Sequence, residues 1–157
     1  MPLSPAEALN KAAAYCTLCE RCTSEVSNKL TAWGVAHTDQ RAIIERLQSE
    51  GFIDEGRYCR AFVNDKVRFN HWGKIKIVAA LREKRLPAED IAAAIEQIDE
   101  KEYTQALQAV ISLKQKELKG KDDYAARQKI VRFAASRGFE PARIFKIINC
   151  EGYEVDF

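Results

Sequence analysis

Glycine and proline are scarce, with 7 and 4 residues in a chain of 157. That excludes collagen-like and low-complexity chains and argues against a turn-rich β-sandwich. No run of about 18 apolar residues occurs, so no membrane span is expected. The opening residues, Met1-Pro2-Leu3-Ser4-Pro5-Ala6-Glu7, lack a basic leader ahead of an apolar stretch and do not read as a secretory signal. Five cysteines would leave one over from any full pairing. A reduced, intracellular protein is the expectation that follows. Also missing are a glycine-rich phosphate loop, a G-x-S-x-G elbow and an H-E-x-x-H helix. Paired carboxylates such as Asp54-Glu55 and Asp99-Glu100 sit where capping explains them. No enzyme and no cofactor are expected.

What the chain has is apolar residues, 46% of the total, and helix punctuation. Ser4-Pro5-Ala6-Glu7 reads as a capping box that opens a helix to about Cys19. Thr23 or Ser24 caps a second helix, which stops at Gly34. Thr38 caps a third, which stops at Gly51. Asp54 opens a fourth, Gly73 precedes a fifth and Pro87 begins a sixth. Asp99 and Glu102 open a seventh to roughly Leu118. Asp122 starts an eighth, which stops at Gly138, and Pro141 starts a ninth. No alternating strand pattern appears.

The helices repeat. Ile53-Asp54-Glu55 with Tyr58 and Ala61 matches Ile98-Asp99-Glu100 with Tyr103 and Ala106. Ile77, Leu86, Ile91 and Ile95 match Ile130, Phe139, Ile144 and Ile148, and Val26, Leu30 and Val35 match Ile77, Leu81 and Leu86. The expected architecture is all-α: three tandem three-helix, helix-turn-helix-like repeats over residues 1–53, 54–98 and 99–157, the last with an acidic tail. Units this small bury little alone, and stacking them would give an elongated, curved array.

Formal net charge is only +2, yet charge is segregated into successive blocks of −3, +7, −5, +6 and −3. The first positive block holds Arg57, Arg60, Lys66, Arg68, Lys74, Lys76, Arg82, Lys84 and Arg85. In the second, Arg127, Lys129 and Arg137 stand at the positions of Lys74, Lys76 and Lys84. Phe69, His71 and Trp72 lie inside the first. Cations with nearby aromatics suit phosphates and stacked bases. They suit an acidic protein groove equally. With His71, these twelve cations form the candidate binding face. His37 reads as a loop residue. Cys16, Cys19 and Cys22 have a C-x2-C-x2-C spacing that could serve zinc or part of an iron–sulfur cluster. They lack a nearby fourth ligand and read better as packing residues, so no metal is expected.

Several stretches resemble the RecX family of RecA regulators. Arg21-Cys22-Thr23-Ser24-Glu25-Val26, Lys29-Leu30 and Trp33-Gly34-Val35 carry part of the likeness. Ile43-Ile44, Leu47, Gly51-Phe52-Ile53-Asp54-Glu55, Arg57-Tyr58 and Ala61-Phe62-Val63 carry the most diagnostic part, followed by Ile77, Leu81, Lys84 and Leu86. Three features depart from the family pattern. Arg85 replaces a usual glycine, Phe69-Asn70-His71-Trp72-Gly73 replaces a glycine-rich basic loop, and cysteines 16, 19 and 22 occupy an arginine-rich region. The resemblance implies a cytoplasmic, non-enzymatic modulator, and a monomer is expected. Its implied partners are the RecA filament and single-stranded DNA, with duplex DNA as a further candidate. Inhibition of strand exchange, ATP hydrolysis and repressor-cleavage stimulation is implied with it. Two alternatives remain: a stand-alone helix-turn-helix-like DNA-binding protein, and a cysteine-cluster metal protein.

Overall fold

A computed structural model describes residues 3–150, with side chains to residue 148; the acidic tail from residue 151 and the Cys150 side chain lie outside them. The described residues form nine helices and no strand: α1 Pro5–Leu18, α2 Thr23–Ala32, α3 His37–Ser49, α4 Glu55–Arg68, α5 Lys74–Glu83, α6 Ala88–Glu96, α7 Glu100–Glu117, α8 Tyr124–Ser136 and α9 Pro141–Cys150. None is long and apolar enough to cross a membrane.

Local chemistry sets the starts. Ser4 Oγ accepts from the Glu7 amide at 3.2 Å and donates to the Glu7 carboxylate at 2.9 Å, completing the capping box. Asp54, Asp99 and Asp123 each accept from the amide three residues on. Three starts differ from the sequence expectation by one or two residues. Cys22, not Thr23 or Ser24, is the N-cap of α2; its own amide donates to Glu25 Oε1 at 3.1 Å, because Thr23 is engaged by Glu55. Helix α3 starts at His37 after Ala36, which supplies no side-chain cap, so His37 lies in the first turn rather than in a loop. Asp123, not Asp122, caps α8.

The repeats share one way of ending their second helix. The amides of Val35, Leu86 and Phe139 donate to the carbonyls five residues back, Leu30, Leu81 and Ala134. All three side chains are buried. The residue before each has positive φ: Gly34 at 80°, Arg85 at 63° and Gly138 at 95°. This is a Schellman close, for which glycine is the low-strain choice. The middle repeat makes the same turn with arginine.

The chain divides into two compact units. In Met1–Phe62 with Leu81–Ala94, α1, α2 and α3 pack on Ala8, Ala12, Val26, Leu30, Val35, Ile43, Leu47 and Ile53. Buried Gln40 is fully used there: its amide donates to Val35 O and Thr31 Oγ1, and its oxygen accepts from Ser27. In Val63–Ala80 with Ile95–Phe157, α7 and α9 pack on α8. That core holds Tyr103, Leu107, Ile111, Ile130, Phe139, Ile144 and Ile148, with Val67 and Ile77 from α4 and α5.

Within the second unit the start of α5 abuts the end of α8. Gly73 N–H donates to Arg137 O at 2.7 Å and Ile75 N–H to Gly138 O at 3.0 Å. Lys74 N–H donates to the Tyr103 hydroxyl at 2.9 Å, and that hydroxyl donates to Glu140. Three amides that a helix start leaves open are thus satisfied from another repeat. The approach is too close for any side chain: a Cβ on Gly73 would lie 2.2 Å from the Gly138 carbonyl carbon.

Candidate basic interface

The first positive block spans α4, the turn after it, α5 and the two residues beyond. Lys66 and Arg68 close α4. The turn runs through Phe69, Asn70, His71 and Trp72, with His71 in the left-handed region at φ 54° and its Nδ1 buried without a hydrogen-bond partner. Trp72 N–H donates to Lys66 O at 3.0 Å and closes it. The Lys66 ammonium lies 4.6 Å, and the Lys76 ammonium 4.4 Å, from the centre of the Trp72 ring. Lys74 sits 4.8 Å over the Tyr103 ring. An aromatic ring attracts a cation without cancelling its charge. Lys74 and Lys76 are positioned in this way.

Other candidates are neutralised. Arg57 pairs with Glu20 at 2.7 Å and donates to Gly51 O. Lys84 pairs with Glu25 at 3.5 Å. Arg68 makes a two-point contact with Glu102 at 2.9 and 3.2 Å, and Arg127 pairs with Asp122 at 3.5 Å. Arg60, Arg82, Arg85 and Lys129 are exposed, with no carboxylate partner among the described residues. Arg137 lies 5.2 Å over Phe133.

The candidates thus fall into two groups. Arg57, Arg60, Arg82, Lys84 and Arg85 belong to the first compact unit, where Lys84 and Arg85 line a polar pocket with Thr23, Ser24 and Asn28. Lys66, Arg68, His71, Lys74, Lys76, Arg127, Lys129 and Arg137 belong to the second. There the turn draws Lys66 and Lys76 onto one ring, and the α5–α8 abutment brings Lys76 beside Gly138, next to Arg137.

A second set of ring-held cations went unseen in the sequence. In the first unit Lys11 lies 4.5 Å over Trp33, Arg21 3.9 Å over Tyr15 and Lys29 5.4 Å from the Tyr15 ring; the two rings meet edge to face. The net charge of −3 over residues 1–56 concealed it.

The matched tyrosines of the repeats work at helix starts. Burial, then the neighbouring Glu25 carboxylate, pushes the Tyr58 hydroxyl well above its ordinary value. Burial and the bond to Glu140 do the same to Tyr103. Burial opposes the charged form of Glu25, but the Cys22 amide and the Lys84 ammonium outweigh it and hold the carboxyl below its usual range. Both hydroxyls stay protonated near neutrality, as structural hydrogen-bonding groups. Cys16 is half-buried, Cys19 exposed and Cys22 buried. Among the described residues, no three His, Cys, Asp or Glu come together to hold a metal ion.

Family models match two parts of the chain: the second three-helix domain of RecX over residues 54–95 and the third over residues 100–148. A regulatory protein RecX of Prosthecochloris aestuarii is 28% identical over 143 residues, covering 91% of this chain and 92% of that one. One from Xanthomonas axonopodis pv. citri is 31% identical over 121 residues, covering 77% and 73%. The crystal structure of RecX from Lactobacillus salivarius superposes with a TM-score of 0.82 at 19% identity, over 92% of this chain and 94% of that one. At that identity the superposition speaks for the fold.

Proposed function

The chain belongs to the RecX family of regulatory proteins, and from that premise we propose that it modulates the RecA recombinase by binding the filament RecA forms on single-stranded DNA. The effect is inhibitory: strand exchange, ATP hydrolysis and SOS co-protease activity fall as the groove of the filament is occupied. The protein acts by binding alone, in the cytoplasm, as a monomer, through three-helix repeats at 1–53, 54–98 and 99–157.

The observation that supports this most is the set of cations kept charged around the α4–α5 turn. A filament on DNA presents acidic protein surface and phosphates, and both attract such a face. Lys74, Lys76, Lys129 and Arg137 bear the largest share of the contact, because carboxylates do not neutralise them. Arg57, Arg68, Lys84 and Arg127 bear less.

Titrating the purified protein into RecA filaments on single-stranded DNA tests the proposal. ATP hydrolysis should fall saturably. Reversing Lys74, Lys76 and Lys129 to Glu should weaken the effect while helicity is kept. Unchanged hydrolysis together with no filament binding would sink it. Tight, sequence-selective duplex binding without RecA would favour the helix-turn-helix alternative instead.

A further inference from the structure

Residues of α7 and α9 line a groove in the second unit. Its volume is about 270 Å³ and its lining is mainly apolar. Leu107 and Ile147 are part of that lining, with Tyr103 and Thr104, and Arg143 and Lys146 of α9 are its cations. An apolar cavity of about 150 Å³ takes up benzene. This groove therefore has room for an aromatic ring with a smaller apolar side chain beside it. Arg143 is shared between Glu100 and Glu140, whereas Lys146 is exposed and has no carboxylate partner among the described residues. An open apolar groove beside an unpaired cation suits an occupant that is apolar on one side and acidic on the other.

We propose that residues 151–157 of the same chain fill this groove. They read Glu151-Gly152-Tyr153-Glu154-Val155-Asp156-Phe157, so Tyr153, Val155 and Phe157 alternate with Glu154 and Asp156. An extended run of that period puts its apolar side chains on one face and its carboxylates on the other. The apolar face matches the groove and the acidic face matches Lys146. No Lys or Arg follows Lys146 in the sequence, so the segment brings no cation to repel it.

Attachment selects this occupant over its rivals. Helix α9 ends at Cys150, so its groove residues, from Arg143 to Ile147, lie within about 10 Å of that end at about 1.5 Å per residue. Gly152 stands two positions past the helix, where glycine commonly turns a chain back. The residues from Tyr153 onward can span about 16 Å, enough to run back along α9 past Arg143. A segment tethered so closely meets the groove at an effective concentration of about millimolar. A second copy or a free acidic peptide has no such advantage. The inference goes beyond the proposed function and does not rest on it.

Methyl NMR on the full chain tests it. In wild type, aromatic protons of Tyr153 or Phe157 should show nuclear Overhauser contacts to the methyl groups of Leu107 and Ile147. Replacing both rings, Tyr153→Ala with Phe157→Ala, should move the resonances of those methyls while far-UV circular dichroism is unchanged. Lys146→Glu should raise the ratio of undocked to docked segment about two- to fivefold. Adding Glu154→Lys and Asp156→Lys to Lys146→Glu should restore the wild-type resonances, since the charges are then exchanged.

A mixture of isotope-labelled and unlabelled chains separates the sources. Contacts confined to one copy support the proposal. Contacts between copies would mean that a second copy fills the groove, and would overturn it. It falls equally if no contact joins residues 153–157 to Leu107 or Ile147, or if the methyl resonances are the same with and without the two rings.

Discussion

Gly73→Ala should be among the most destabilising single-methyl changes in the protein. The added Cβ would meet the Gly138 carbonyl carbon at 2.2 Å and the Phe139 amide nitrogen at 2.3 Å. Those atoms are backbone, pinned in the Schellman turn that ends α8, and cannot swing aside as a side-chain tip would. Relief requires α5 and α8 to separate. Overpacking of this kind costs about 1–3 kcal/mol. Separation also stretches the bonds from Gly73 N–H to Arg137 O and from Ile75 N–H to Gly138 O, each contributing about 0.5–1.5 kcal/mol. The expected loss is about 2–6 kcal/mol, against a total stability of about 5–15 kcal/mol. Gly56→Ala is the matched control. Its new Cβ meets side-chain ends, Arg60 Nη1 at 3.3 Å and the Asp54 and Asp90 Oδ1 atoms at 3.5 Å. These can move, and the change lies within helix α4, where alanine is favoured over glycine by about 0.5–1 kcal/mol. Urea unfolding followed by far-UV circular dichroism reads both. With a slope of about 1–3 kcal/mol per molar urea, the Gly73→Ala midpoint should fall by about 1 M or more, and the Gly56→Ala midpoint should hold or rise. A Gly73→Ala loss below about 1 kcal/mol, or an equal loss in both variants, would refute the argument from backbone contact.

Three further outcomes are expected. Arg85→Gly should raise stability by about 1 kcal/mol, because it removes a left-handed arginine; calorimetry checks it, and an unchanged or lower melting temperature would contradict it. Tyr103→Phe should cost about 1–3 kcal/mol in urea, since Lys74 N–H and Glu140 both lose a buried partner; a neutral substitution would mean that water replaces the hydroxyl. Burial, with Asp90 and Glu55 nearby, pushes the Cys59 thiol up to about 11 from an ordinary 9.0. Between those values the unfolded chain holds fewer protons than the folded one, so stability should fall as pH rises from about 9 to 11. Cys59→Ala should flatten that decline, and an identical profile in the variant would exclude the thiol as its source.

Much of the fold was legible because helix ends carry local chemistry. Ser4, Asp54, Asp99 and the residues around Gly34 and Gly138 state their role within four or five positions of sequence. The boundaries that slipped, at Cys22, Ala36 and Asp123, are those where the cap is a backbone bond, an apolar residue or one of two adjacent aspartates. The site was legible as composition but not as electrostatics. Which cations stay charged depends on partners far along the chain, such as Glu20 for Arg57 and Glu102 for Arg68. Block arithmetic counts them all alike. It also missed Lys11, Arg21 and Lys29, which only folding gathers on Tyr15 and Trp33. The repeat comparison did find Tyr58 and Tyr103, though not that their hydroxyls serve helix starts.

Helix α5 has no N-cap side chain of its own, since Gly73 stands where one would be. Its opening amides are satisfied by Arg137, Gly138 and Tyr103. On the ribosome, the chain therefore emits the start of α5 long before it emits the carbonyls that complete it. During that interval this helix end is frayed in water, and it becomes final only when α8 has been made. Synthesis order thus gives the middle repeat a delayed finish, and a chain cut short ahead of α8 would carry that loose end permanently.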